Sequence, residues 1–139
     1  MGNDARLARF PSVIDGMSLA LSGGMPNPLV HWELMVNDVE RAKAFYTKIF
    51  DWSFTPMGPE YTLVGTGTDP GGGLMKRPPN VPMATLNSYF RVTDLDRTLH
   101  DAVEAGATVI VPRTEVPTIG WFAMFLDPDK IPVGIMQLR

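Results

Sequence analysis

His31 and Glu33 are the two side chains of this sequence that type and spacing best suit to act together. They lie two positions apart in the alternating segment 29–36 (LVHWELMV), and alternation with a period of two predicts a β-strand. Both side chains would then share one face, with Cα atoms about 6–7 Å apart. We therefore predict an acid–base pair that acts on a bound ligand. The alternative is a polar pair in the hydrated mouth of a cleft.

The strand that carries this pair belongs to an internal repeat. Residues 36–41 (VNDVER) reappear as residues 92–97 (VTDLDR), 56 positions later. Each copy follows a strand-like segment and begins a helix, for which Asp38 and Thr93 are the predicted N-caps. The repeat therefore predicts two modules of the same design, related by a pseudo-symmetry axis with a cleft between them.

The two halves also end alike, in residues 73–76 (GLMK) and residues 134–137 (GIMQ). In each half the patterns run strand, helix and three strands. This order predicts an α+β fold in which two βαβββ modules form an open barrel with the helices outside.

Proline marks the boundary between the modules, because three prolines fall within residues 78–82 and cannot sit inside a sheet. We predict a leader over residues 1–28 and a single domain over residues 29–139. Within that domain, module one covers 29–77, the linker 78–85 and module two 86–139. The leader is expected to be a peripheral tail, or else a segment that packs on a partner subunit.

The repeat also predicts which side chains face the cleft. They lie on the strand faces turned away from the helices, and the opposite faces are wholly apolar. The predicted ligand-binding set is Met35, Met75, Asn87, Tyr89, Arg91, Trp121 and Met136. Methionine, aromatic rings and a few polar groups suit a flat apolar small molecule. The alternatives are core packing for the apolar members and a hydrated sheet face for the polar ones.

Arg91 has two interpretations. Its guanidinium can bind a carboxylate or phosphate group of a ligand through two parallel hydrogen bonds. It can equally form a structural ion pair with Glu33 across the pseudo-symmetry axis.

Composition narrows the class of protein. The chain of 139 residues is 45% hydrophobic and 19% charged, which is typical of a soluble globular domain. Its net charge of −3, without a basic cluster, argues against nucleic-acid binding. The absence of cysteine excludes disulfides and thiolate metal sites. No apolar segment approaches the length of a membrane span, and we expect a cytoplasmic protein.

Several segments together resemble the vicinal-oxygen-chelate superfamily of glyoxalase I, the bleomycin-resistance proteins and the extradiol dioxygenases. They are residues 31–38 (HWELMVND), the pair Phe45 and Tyr46, residues 50–52 (FDW) and the turn 127–129 (DPD). The resemblance covers about residues 29–139 and implies the fold described above. It also implies a homodimer, although the linker permits the modules to pair within one chain or to exchange between two.

The resemblance further implies four metal-ligand positions, on the first and last strands of each module. In this sequence they fall on His31, Asn87, Gly73 and Gly134. His31 is the only competent ligand among them, whereas catalytic metal sites normally need about three protein ligands. Glycine at two positions leaves space where carboxylates would stand. We therefore expect no tightly bound cofactor or metal.

These observations lead to three hypotheses. The first is a glyoxalase-like protein that sequesters or acts on a small organic ligand in the cleft, without a tightly held metal. The second is a divalent-metal-dependent lyase, isomerase or dioxygenase of the same superfamily, in which His31 and Glu33 would help to hold the ion. The third is a scaffold or regulatory domain without a ligand.

Overall fold

The structure, a computed structural model, describes residues 26–139, so that most of the predicted leader lies outside the described residues. The elements follow in the order β1 (Leu29–Val36), α1 (Val39–Ile49), β2 (Ser53–Pro56), β3 (Thr62–Gly65), β4 (Gly72–Lys76), β5 (Thr85–Arg91), α2 (Leu95–Glu104), β6 (Thr108–Val116), β7 (Gly120–Leu126) and β8 (Pro132–Leu138). Each module therefore has the predicted order βαβββ. The connection between them, from the end of β4 to the start of β5, coincides closely with the proline-rich linker.

All eight strands belong to one mixed sheet with the order β2-β3-β4-β1-β5-β8-β7-β6. The first strands of the modules, β1 and β5, pair antiparallel at its centre, so the two modules join within one chain. The edge strands β2 and β6 do not pair with each other, and the barrel stays open. Each edge strand contains a proline, Pro56 or Pro112, whereas a central strand admits proline only at its first residue or at a bulge. The predicted α+β fold is confirmed.

The strand register defines the pseudo-symmetry axis. Trp32 pairs with the residue of β5 that lies 56 positions later, which is the period of the repeat, so the axis passes between these two residues. It relates Glu33 to Tyr89. The parallel ladders repeat this relation, because Glu33 lies beside Gly73 and Tyr89 lies beside Gly134.

Both helices begin at an aspartate. The Asp38 side chain accepts a hydrogen bond from the backbone N–H of Arg41, and that of Asp94 accepts one from Arg97, each at 3.0 Å. The prediction of Thr93 as the second N-cap was therefore wrong. Aspartate is preferred over threonine as an N-cap residue. Asp94 is also the position equivalent to Asp38 in the repeat.

The best-packed core lies between α2 and the sheet. Leu95, the first residue of α2, is fully buried, with a relative exposure of 0%. It packs with Val92, Ala123 and Ile135, flanked by Leu99, Trp121 and Phe125. By contrast, α1 has no fully buried residue, and Tyr46 on this helix stacks on Trp52 at 5.1 Å. In the described part of the chain, neither helix is long and apolar enough to cross a membrane.

Candidate functional site

A cavity of about 650 Å³ spans both modules and is lined by residues from β1, β3, β5, β6, β7 and β8. Most of its surface is apolar. This apolar wall is built largely from Val30, Leu63, Val116, Ile119, Phe122 and Met136. Because side chains alternate along a strand, Phe122 faces the cavity while its neighbour Trp121 packs against the core beneath α2.

Four polar side chains meet in the lining of this cavity, and we call them the polar centre: His31, Glu33, Tyr61 and Tyr89. Glu33 is buried, with a relative exposure of 7%. Its Oε2 accepts a hydrogen bond from the Tyr61 hydroxyl at 2.9 Å, and its Oε1 accepts one from the Tyr89 hydroxyl at 3.1 Å. The Nε2 atom of His31 lies 2.8 Å from the Tyr61 oxygen. The centre therefore forms one continuous hydrogen-bonded group.

The directions of these hydrogen bonds assign the proton of His31. A carboxylate can only accept, so each tyrosine uses its single hydroxyl hydrogen on Glu33. The Tyr61 oxygen must then accept from His31. Neutral His31 consequently carries its proton on Nε2, which leaves Nδ1 as a bare acceptor.

Burial controls the charge of the centre. It lowers the pKa of His31 from its ordinary value of 6.5, and the Glu33 carboxylate opposes this shift only in part. Burial also raises the pKa of Tyr61 and of Tyr89, and both the charge of Glu33 and the hydrogen bonds to it add to that rise. At neutral pH the imidazole and both phenols are therefore uncharged.

The two tyrosines occupy the space that the sequence predicted to be empty. A Cβ atom added at Gly73 would overlap the hydroxyl end of Tyr61, and one added at Gly134 would overlap the ring of Tyr89. Glycine at these two positions therefore makes room for a phenol. The space expected in place of the missing carboxylates is filled.

The donor set does not fit a divalent metal. The centre contains one imidazole and one carboxylate, and both already bond to the tyrosines. Within residues 26–139 no group of three or more histidine, cysteine, aspartate or glutamate side chains is placed to hold an ion. Protein sites for divalent transition metals usually provide about three such ligands, and a neutral phenol is a poor replacement for a carboxylate.

The structure brings together four of the nine side chains that the sequence assigned to the site. His31, Glu33, Tyr89 and Met136 line the cavity. Asn87 is buried and lies directly across the ladder from Glu33, but it is outside the lining of the cavity. Because residues paired across an antiparallel ladder share a face, the Asn87 side chain lies on the same face of the sheet as Glu33.

The other four lie elsewhere. Met35 and Met75 pair in register with each other beyond the polar centre and do not line the cavity. Arg91 is exposed, and the described residues that bond to Glu33 are the two tyrosines. Trp121 lies on the helix side of the sheet, and the guanidinium groups of Arg113 and Arg139 lie 4.8 and 4.5 Å from the centre of its ring. Its predicted place in the cleft is corrected, because alternation along β7 presents Phe122 instead.

Tyr61 is the main residue of the centre that the sequence did not indicate. It precedes β3, in a segment expected to be a turn followed by a strand, and nothing in its own pattern predicts a polar role. Its role depends on the strand register, which the sequence does not show. Gly73 lies beside Glu33, and Leu63 of β3 lies beside Gly73, so a bulky side chain near the start of β3 can reach over the glycine.

Comparison with known proteins adds to this geometry. A model of the Glyoxalase/Bleomycin resistance protein/Dioxygenase superfamily matches residues 29–135. A protein of Mycobacterium tuberculosis (strain CDC 1551 / Oshkosh) named "Putative glyoxylase CFP32" is 33% identical over 114 residues, which are 78% of this chain and 43% of that protein. The chain therefore spans less than half the length of this curated relative.

Solved structures share the fold at low sequence identity. Methylmalonyl-CoA epimerase from Mycobacterium tuberculosis has a TM-score of 0.61 and 13% identity, covering 80% of this chain and 87% of that one. The Mn(II)-bound glyoxalase from Novosphingobium aromaticivorans has a TM-score of 0.60 and 15% identity, covering 78% of this chain and 38% of that one. Homoprotocatechuate 2,3-dioxygenase from Brevibacterium fuscum has a TM-score of 0.61 and 20% identity, covering 79% of this chain and 36% of that one.

Proposed function

This chain belongs to the Glyoxalase/Bleomycin resistance protein/Dioxygenase superfamily, and on that premise we propose that it binds a small, largely apolar organic molecule in the cavity between its modules. We propose further that it does so without a tightly held divalent metal. The volume of about 650 Å³ is within the range of small-molecule sites, which combine apolar walls with a few well-placed polar groups. The apolar wall and the polar centre supply this combination.

One observation carries the proposal: Tyr61 and Tyr89 fill the space above Gly73 and Gly134 and both donate to Glu33. At two of the four positions where the resemblance implies metal ligands, Gly73 and Gly134, neutral phenols that orient a carboxylate therefore fill the space. The polar centre contains too few metal-binding side chains for a metal-dependent reaction of the kind known for other members of the superfamily. Recognition of an organic ligand needs only the groups already present.

The polar centre supports metal-free proton transfer as a second candidate function. The specific observation is the hydrogen-bonded series from His31 through Tyr61 to Glu33, which leaves the Nδ1 atom of a neutral imidazole bare. His31 Nδ1 and the Glu33 carboxylate can each accept a proton from a bound molecule. The hydroxyl hydrogens of both tyrosines already bond to Glu33. The centre therefore presents hydrogen-bond acceptors to a ligand and few hydrogen-bond donors.

Two measurements test the proposal. Protein purified without chelator or an affinity metal is analysed for divalent ions, and we expect much less than one ion per chain. The same protein is screened by thermal shift against a panel of small metabolites, and we expect hits that stabilise the fold, because a ligand that binds only the folded state raises the melting temperature. A stoichiometric divalent ion, or a panel without any hit, would contradict the proposal.

A matched pair of variants places the ligand in the cavity. Val116→Phe adds volume to the apolar wall, whereas Ile110→Phe introduces the same ring at an exposed position of the same strand, outside the cavity lining. We expect the first variant to lose the ligand-induced thermal shift and the second to keep it. Equal shifts in the two variants would show that the ligand binds elsewhere.

The predicted homodimer and the predicted cytoplasmic location stay predictions. The described pairing of β1 with β5 within one chain is compatible with a monomer or with a dimer.

A further inference from the structure

Among the described residues that line the cavity, Glu33 carries the only formal charge. These residues include neither lysine nor arginine, and the other titratable groups among them, His31, Tyr61 and Tyr89, are uncharged at neutral pH. The cavity therefore has a negative end and an apolar body.

A buried carboxylate without a cation is costly, because burial removes the water that stabilises its charge. The hydroxyl groups of Tyr61 and Tyr89 compensate part of this cost with one hydrogen bond to each oxygen of Glu33. Each carboxylate oxygen keeps a further acceptor position. The ion pairs among the described residues lie at the surface, and none of them includes Glu33.

The rings around Glu33 also favour a positive charge. Tyr61 and Tyr89 flank the carboxylate, and the ring of Phe122 packs edge-on against Tyr89 at 6.2 Å. The faces of aromatic rings attract cations, and the bare Nδ1 of His31 adds one more acceptor. An anionic group, in contrast, would meet the Glu33 charge in the same cavity, and the described lining residues include no basic side chain to offset it.

We propose that the ligand of this cavity is an organic cation, a protonated amine on an apolar body, with its ammonium group on Glu33 and its body against the apolar wall. This inference rests on the proposed function, since it names the chemical class of ligand for the same site. It excludes carboxylates, phosphates and other anionic metabolites as preferred ligands. The ligand supplies the positive partner that residues 26–139 do not provide for the buried carboxylate.

Three probes that share one apolar body test the inference: tryptamine, a cation at neutral pH, neutral tryptophol and anionic indole-3-propionate. Binding of each is measured by isothermal titration calorimetry at physiological ionic strength, which screens the general attraction of cations to an acidic surface. We expect tryptamine to bind at least about tenfold more tightly than tryptophol, as for a charge-assisted hydrogen bond to a buried group. Indole-3-propionate should bind most weakly.

Glu33→Gln removes the charge with little change in shape and should bring the affinity for tryptamine to that for tryptophol. The control is Glu104→Gln, which makes the same change in net charge at an exposed position of α2 and should leave the preference intact. Equal binding of tryptamine and tryptophol to the unaltered protein would overturn the inference while leaving the proposed function in place. Failure of all three probes to bind, together with an empty metabolite screen, would overturn both.

Discussion

Tyr61 joins the two acid–base groups of the cavity into one unit. Its oxygen accepts from His31 Nε2 at 2.8 Å, and its hydroxyl donates to Glu33 at 2.9 Å. Because its only hydrogen goes to the carboxylate, the imidazole must keep its own proton on Nε2. The tautomer of His31, and with it the ring nitrogen that is left as an acceptor, is therefore set by a third residue.

Acidification tests the charge state of His31. Burial lowers the pKa of this residue from 6.5, so the unfolded chain binds a proton at a higher pH than the folded protein does. The free energy of unfolding should therefore begin to fall as the pH decreases through about 6.5, and the loss is complete below the folded-state pKa. Urea unfolding between about pH 7.5 and pH 5 should show a smaller loss in His31→Gln than in the unaltered protein. Equal losses would mean that folded His31 accepts a proton freely.

The polar centre was predictable from the sequence only in part. His31, Glu33 and Tyr89 follow from strand alternation and the 56-residue repeat, both of which are visible in the sequence without knowledge of the fold. Tyr61 does not, because its role arises from the register that places β3 beside Gly73. Trp121 was misplaced for a related reason. A strand rich in aromatic residues does not reveal which of its two faces is turned to the cavity.

At the level of elements, α1 and α2 have similar sequence patterns but unequal roles. Both begin at an aspartate N-cap. Leu95 of α2 enters a closed core with residues of β7 and β8, whereas α1 leaves Phe45 and Ile49 largely exposed. Since burial of apolar surface is the main stabilising term, α2 should contribute more to the stability of the described fold than α1.

Leu95→Ala tests the contribution of α2 to the core. Removing a fully buried leucine side chain from a packed core typically costs about 2–5 kcal/mol of unfolding free energy. Leu86→Ala is the matched control, because Leu86 is 61% exposed and its truncation should cost less than about 1 kcal/mol. Chemical denaturation of the two variants gives both values. Similar costs would show that α2 does not anchor the core.

Most elements could be predicted because each carries its own signal. Period-two alternation located β1 and β5, and helical spacing with an N-terminal cap located α1 and α2. The β-branched residues 108–111 predict a strand, and the structure extends this strand, β6, to Val116. It continues through Pro112, where the ladder shows irregularities, because an edge strand tolerates proline within its length.

At the scale of the whole molecule, two positions that the pseudo-symmetry axis relates carry side chains of different chemistry. Glu33 and Tyr89 occupy corresponding places in the two modules, and each lies beside a glycine of the parallel neighbour strand. One module thus supplies a carboxylate and the other a phenol that donates to it. The shared cavity is asymmetric although the backbone is duplicated, and a ligand would bind it in one preferred orientation.

The same arrangement predicts how a metal site could be created. The nearest atoms to an added Cβ at Gly73 all belong to the Tyr61 side chain, whereas at Gly134 a backbone oxygen of Ser88 also lies close. Gly73 is therefore the better position for a new carboxylate once Tyr61 is truncated. In the double variant Tyr61→Ala/Gly73→Glu, the new glutamate lies beside Glu33 and near His31. Together with these two side chains it supplies three ligands, and a zinc site needs about three from the protein.

We expect this double variant to bind zinc stoichiometrically in a calorimetric titration, and the unaltered protein to bind it weakly or not at all. Tyr61→Ala/Gly73→Gln is the matched control, because it opens the same space with a neutral side chain of the same size. It should bind zinc at least about tenfold more weakly, since an amide is a poor ligand for a transition metal. Equal zinc affinity in the unaltered protein and the double variant would mean that the tyrosines do not keep metal out. The occupation of the glycine sites by Tyr61 and Tyr89 would then be a matter of packing alone.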